Sequence, residues 1–241
     1  MRGAVGALRR LHAELAAAYG PQGWWPLPAN AGRPGFDGHG YHPEKPGASV
    51  EATDRFAVAL GAVLTQNTAW VNAERALEAL AAAGVRSPAD VLACSPPRLA
   101  RLVRPSGSYN VKARKLRYLA AFFAGRGLRR APAREELLAI WGVGPETADS
   151  ILLYAFGQPV FVVDAYTRRL LARMGLANGD EAYPAVQDLF HRAFGPDAGL
   201  FNECHALIVR HAKEHCRASA RCAGCPVSRC RRLHARRGLG P

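Results

Sequence analysis

The sequence predicts an all-α protein made of two helical parts. Three observations carry this prediction. Apolar residues recur at helical spacing from Glu51 almost to the C-terminus. Strand-like alternation is nearly absent, with VFVVDA at 160–165 as the one ambiguous run. Apolar residues fill 49% of the 241 positions, which is enough to bury a core.

The first element is an N-terminal helix. In MRGAVGALRRLHAELAAAYG, residues Val5, Leu8, Leu11, Leu15 and Tyr19 fall near helical spacing. Arg9, Arg10, His12 and Glu14 break the apolar run that a signal peptide needs, so the segment reads as an amphipathic helix. Residues 20–50 are rich in Gly, Pro and aromatics and form a long irregular connection, of the kind that often carries function. Helices are then expected over 51–65, 69–83, 88–93, 96–103, 110–125, 133–141, 145–156, 164–174, 181–194 and 197–215. Ser87-Pro88 and Ser95-Pro96 each place a capping residue before a proline at the first helical position. No stretch is long and apolar enough to span a bilayer, and the expected setting is cytoplasmic and nucleoid-associated.

The chain carries 32 Lys and Arg against 19 Asp and Glu, a formal net charge of +13. So basic a chain calls for a polyanionic partner, nucleic acid first, with a merely solvated basic protein as the alternative. Arginine predominates, since lysine occurs only at Lys45, Lys112, Lys115 and Lys213. Its planar fork suits phosphate clamping.

Four of the six cysteines fall in the last 26 residues: Cys216, Cys222, Cys225 and Cys230, spaced C-x5-C-x2-C-x4-C. Clustered thiolates of this kind hold zinc or a [4Fe–4S] cluster. The compact run suits a cluster cradled by one loop, and a small zinc knot is the alternative. Arg210, Lys213, Arg217, Arg221, Arg229, Arg231, Arg232, Arg236 and Arg237 surround it, against Glu214. A rigid loop would present these cations to phosphates. Cys94 and Cys204 sit in helical patterns and read as buried small apolar residues.

Leu137 to Tyr154 reads as helix, Gly-Val-Gly turn, helix. Gly142 and Gly144 allow positive φ and close approach of the backbone to another surface. Amides opening the second helix suit an anion. Asp164 ends the apolar run that follows and is placed to cap the helix beginning at Ala165.

GVGPETADSILLYAF, then VVDAY, then the four-cysteine tail resembles the endonuclease III superfamily of DNA glycosylases. These are helix-hairpin-helix proteins with a Gly/Pro-rich loop and a catalytic aspartate. LTQNT at 64–68, SGSYNVKARKL at 106–116 and HALIVRHAKEHC at 205–216 extend the resemblance over nearly the whole chain. With GWWP at 23–26, the sequence looks most like the branch containing 3-methyladenine DNA glycosylases.

The resemblance implies a helical barrel over 48–158. It implies a second helical domain, from 1–47 together with 159–241, that carries the cluster loop, with a DNA cleft between the two. Asp164 lies 18 positions after Glu146, the family's interval between the hairpin nucleophile and the catalytic aspartate. Its implied role is to stabilise positive charge on the sugar and to assist water. Bifunctional members place a lysine nucleophile where Glu146 stands, and a carboxylate forms no imine. The expected activity is therefore a monofunctional glycosylase with water as nucleophile.

Gln66, with Asn67, is the implied plug that fills the duplex when a base is extruded. Ser108 and Tyr109 occupy the loop where other members insert an apolar wedge, and Ser108 departs from that pattern. Asn110, Lys112 and Arg114 are implied phosphate contacts. Trp24 and Trp25 look like a pocket for an alkylated, positively charged purine. Their alternative is a staple pinning the N-terminal segment to the barrel. Trp141 and Tyr154 are expected in the core. The implied cofactor is a [4Fe–4S] cluster with a structural and DNA-positioning role, although its first and last gaps are each one residue shorter than the common family form. The implied partner is double-stranded DNA containing damaged bases, bound by a monomer. Three alternatives stand beside this reading. They are a glycosylase for oxidised pyrimidines or mismatches, a lesion-binding protein without catalysis, and an unrelated zinc-binding transcription factor.

Overall fold

The computed structural model describes residues 2–44, 50, 51, 54–228 and 230. Lys45, the arginines Arg229, Arg231, Arg232, Arg236 and Arg237, and the expected domain boundary at 47/48 lie outside the described residues. Among the described residues every regular element is helical, as expected. The helices are α1 (Arg2–Tyr19), α2 (Arg55–Leu64), α3 (Trp70–Ala82), α4 (Pro88–Ala93), α5 (Pro96–Leu102) and α6 (Tyr109–Arg126). They continue with α7 (Arg134–Leu138), α8 (Pro145–Ser150), α9 (Ala165–Met174), α10 (Tyr183–Phe194) and α11 (Ala198–Glu214). The chain divides into two compact units: Met1–Trp24 with Pro43–Gly47 and Pro159–Pro241, and Trp25–His42 with Ala48–Gln158.

The second of these units is built around α2, whose residues 58 to 64 are all buried. It packs against α3, α6 and the wide helical turn Ile151–Ala155 that continues α8. The Gly/Pro-rich segment from Trp25 to His42 belongs here, not with the N-terminal helix as expected. Trp25 explains why. Its indole is 4% exposed and packs against Trp70 (5.3 Å) and Tyr154 (5.0 Å). Gly61 makes room for it within α2: a Cβ there would lie 2.9 Å from the indole Nε1. The loop then closes on itself, with Leu27 N–H donating to the Gly40 carbonyl at 2.9 Å.

In the other unit α1 packs on α10 and α11, and α9 packs on α11. Leu8, Leu11 and Leu15 give α1 its buried stripe, as the periodicity predicts. The ambiguous run at 160–164 forms no strand. It is irregular, and side chains of α10 take up its polar groups. Phe161 N–H donates to His191 Nε2 (3.2 Å), Gln187 Nε2 donates to the Phe161 carbonyl (2.7 Å), and Val163 N–H donates to the Tyr183 hydroxyl (3.2 Å). A helix thus satisfies backbone groups that a sheet would otherwise have to satisfy.

Candidate active site

Asp164 stands where this extended run turns into α9. Its backbone is extended (φ −102°, ψ 178°), and one carboxylate oxygen accepts the Thr167 N–H at 2.7 Å, an N-cap. The other oxygen lies 3.6 Å from His205 Nε2, an ion-pair distance when the imidazole is protonated. The carboxyl is buried. Burial pushes its pKa up, but His205 and the Thr167 cap outweigh burial and hold it below the ordinary aspartate range. The group is therefore negative at neutral pH in a place with little water.

His205 sits on the buried face of α11, edge-on to Trp24 (5.9 Å, 80°) and to Phe161 (6.2 Å, 81°). The same helix fixes Trp24 by its main chain. Asn202 Nδ2 donates to the Trp24 carbonyl at 3.0 Å. The Glu203 carboxylate accepts the N–H groups of Gln22 (2.9 Å) and Gly23 (3.1 Å). Carboxylate, imidazole and indole thus form one chain of contacts.

In the other unit, α7 and α8 form the hairpin around Gly142-Val143-Gly144. Gly142 has φ +87°, and a Cβ there would also collide with the Lys115 side chain at 2.6 Å. Gly144 has φ −98°, so it does not need the left-handed freedom expected of it; its Cβ direction is open. Arg134 braces the hairpin with two bonds to the fully buried Asp149, at 2.6 and 3.2 Å. Glu146 is exposed in the first turn of α8. Gln66 points at the hairpin: its Nε2 donates to the Gly142 carbonyl (3.1 Å) and the Thr147 hydroxyl (2.9 Å), and its Oε1 accepts from Lys115 Nζ.

Asn67 and Ser108 are the two non-glycine residues at positive φ among those described, at 53° and 43°. Strain of this kind collects at functional loops. Both are exposed, as are Tyr109 and Asn110.

The four C-terminal cysteines line one small recess with Arg173, His211 and His215. Cys216, Cys225 and Cys230 are each 5% exposed. Arg173 Nη1 donates to the Cys216 sulfur at 3.2 Å and to the Arg217 carbonyl at 2.7 Å, while Arg169 Nε donates to the Cys216 carbonyl at 2.7 Å. Burial and the three neighbouring cysteines push the Cys230 thiol up to about 11. Among the described residues no group of three or more His, Cys, Asp or Glu side chains is set to hold a metal ion.

Residues 60–196 match the HhH-GPD superfamily of base excision DNA repair proteins. The chain belongs to this superfamily. A Methanocaldococcus jannaschii protein, provisionally named DNA repair glycosylase MJ1434, is 36% identical over 228 residues, covering 90% of this chain and 92% of its own. The solved structure of H. pylori 3-methyladenine DNA glycosylase (MagIII), bound to 1,N6-ethenoadenine, is 31% identical. It superposes with a TM-score of 0.61 over 66% of this chain and 85% of that one. A non-covalent endonuclease III–DNA complex shares the fold at 22% identity, with a TM-score of 0.75 over 98% of this chain and 99% of its own.

Within this HhH-GPD chain two expected site residues take other roles, and one expected core residue is exposed. Trp25 is a core staple packed on Trp70 and Tyr154, while Trp24 stands against His205. Lys112 is 4% exposed, and its ammonium donates to the Leu64 (2.8 Å) and Ser106 (2.6 Å) carbonyls, so it ties α2 to the SGSYN loop and faces no phosphate. Trp141, expected in the core, is 44% exposed, while Tyr154 is buried as expected. His205 is the residue that sequence reasoning missed. Its only signal is a histidine on the apolar face of α11.

Proposed function

We propose that this HhH-GPD protein is a monofunctional DNA glycosylase that hydrolyses the N-glycosidic bond of alkylated purines in double-stranded DNA. One observation carries the reading: a buried Asp164, held ionised, is linked through His205 to the ring of Trp24. Breaking the glycosidic bond builds positive charge on the deoxyribose, and a desolvated carboxylate stabilises it. Water supplies the hydroxyl that ends on the sugar, and Asp164 orients it. An alkylated purine is already cationic and leaves readily as the neutral base. The indole of Trp24 is electron-rich and attracts such a base by stacking and cation–π contact.

Glu146 supports hydrolysis over strand cleavage. An exposed carboxylate at this hairpin position forms no Schiff base with the sugar. Gln66, Asn67, Ser108, Tyr109 and Asn110 would meet the opened duplex, and Gly142 and Gly144 would let the hairpin backbone approach its phosphates. The likeness to a 3-methyladenine glycosylase at 31% identity supports the substrate class.

Four cysteines around one recess, three of them buried, fit a [4Fe–4S] cluster held by Cys216, Cys222, Cys225 and Cys230. When bound, the cluster holds the basic loop rigid. The purified protein should be yellow-brown and contain iron and sulfide; stoichiometric zinc in a colourless protein would overturn the assignment.

The test is base release from duplexes carrying methylated purines or ethenoadenine, with thymine glycol and uracil duplexes alongside, each scored with and without hot alkali. Release of the alkylated purines, with breaks only after alkali, is expected. Breaks without alkali would overturn the monofunctional assignment. Binding of lesions without release would make this a recognition protein.

A further inference from the structure

Helix α6 carries five cations and no acid: Lys112, Arg114, Lys115, Arg117 and Arg126. Four of them are bonded to backbone carbonyls, to Gln66 or to Glu136. Lys112 holds two carbonyls and Lys115 holds Gln66. Arg117 donates to the carbonyls of Val91, Leu92 and Cys94, and Arg126 pairs with Glu136 at 3.3 Å. Arg114 differs. Among the described residues no carboxylate pairs with it. Its guanidinium lies 4.4 Å from the ring centre of Trp141 and 5.7 Å from that of Tyr118.

Those two rings are themselves unusual. Each is 44% exposed, and they stand 5.6 Å apart at 50°. Together with Val111, 48% exposed, they make an apolar patch on the α6 face that runs through positions 111, 114 and 118. Trp141 directly precedes Gly142, the hinge of the hairpin. One Arg114 N–H group reaches the Tyr118 hydroxyl at 3.5 Å, and the planar fork of a guanidinium matches a phosphodiester in a bidentate bond. Two exposed rings thus flank a cation beside the hairpin.

We propose that Trp141 and Tyr118 position Arg114, a phosphate contact the resemblance implies, as a clamp for duplex DNA, with Trp141 as the principal positioning residue. The proposal deepens the glycosylase reading and rests on its DNA-binding part alone. The occupant follows from charge: a cation without an acidic partner, on a helix without acids, in a chain of net charge +13.

The test is the affinity of the full chain for an undamaged duplex across a range of salt concentrations. Arg114→Ala should weaken binding about threefold to tenfold and lower the slope of log K against log salt by about 0.9, the share of one phosphate. Trp141→Ala should cost about as much, and the double variant no more than Arg114→Ala alone. Trp141→Phe, which keeps a ring face and guards against misfolding, should bind like the wild type. Arg114→Lys should restore the salt slope but only part of the affinity. An unchanged slope in Arg114→Ala would overturn the clamp, and additive losses would overturn the role of Trp141. A wild type that binds no duplex would sink both this proposal and the glycosylase reading; a wild type that binds DNA regardless of Arg114 would sink only the clamp.

Discussion

The two oxygens of Asp164 do different work. One caps α9 and the other faces His205. Asparagine caps a helix about as well as aspartate, so Asp164→Asn should keep the fold, with a melting temperature lowered modestly by the lost pairing with His205. It loses the charge, and single-turnover base release should fall on the order of a hundredfold or more. The wild-type carboxyl titrates below the ordinary aspartate value of about 3.9. Its contribution to stability is thus complete at neutral pH and is lost only as pH falls through that lowered value. His205→Leu removes the main group opposing burial. The carboxyl pKa then rises, and the acid limb of the rate profile should move to higher pH. A lower rate with an unmoved limb would show that His205 only packs. Nothing in the linear sequence announces this pairing, because it exists only once α9 lies against α11.

Helix ends show what was legible and why. Ser87 and Asp90 form the reciprocal cap that Ser87-Pro88 implies, since every atom involved lies within four residues. Ser95 begins α5 without a side-chain cap bond, although the local signal is the same. The direction of a long side chain is a tertiary matter, and Lys112 shows it. Only the carbonyls of Leu64 and Ser106 decide that it points inward. Burial, with Lys115 nearby, lowers its pKa to about 8. Between about pH 8 and the unfolded value near 10.4, the unfolded chain binds more protons at this site, so stability rises with pH there. Lys112→Met should flatten that rise in urea midpoints, and midpoints rising as in the wild type would place its source elsewhere. Trp25 is a second case. The sequence pairs it with Trp24, but the gap left by Gly61 assigns it to the core. Gly61→Ala should destabilise by about 1–3 kcal/mol through the clash with the indole, as measured by denaturant unfolding.

At the scale of the whole chain the question is what a redox-capable group would do in a hydrolase. Hydrolysis of a glycosidic bond moves no electrons, so a [4Fe–4S] cluster held by the four cysteines would contribute mechanically and electrostatically. The structure shows how loop order would reach the surface. Arg169 and Arg173 of α9 hold the main chain at Cys216, Arg217 and Ala218. Arg217 and Arg221, flanking the cysteine recess, are exposed. A cluster held by the four cysteines would keep these cations in fixed positions, and its loss would let them move and bind phosphate less tightly. Protein stripped of iron should therefore bind duplex DNA more weakly and melt at a lower temperature. Its base-release rate at saturating DNA should stay within about twofold of the iron-loaded rate, because Asp164, His205 and Trp24 are built from α9, α11 and the segment before Trp25. The check is a paired measurement of affinity and saturated single-turnover rate on iron-loaded and iron-free protein. A collapse of the saturated rate with affinity intact would mean that the cluster shapes the reacting centre itself.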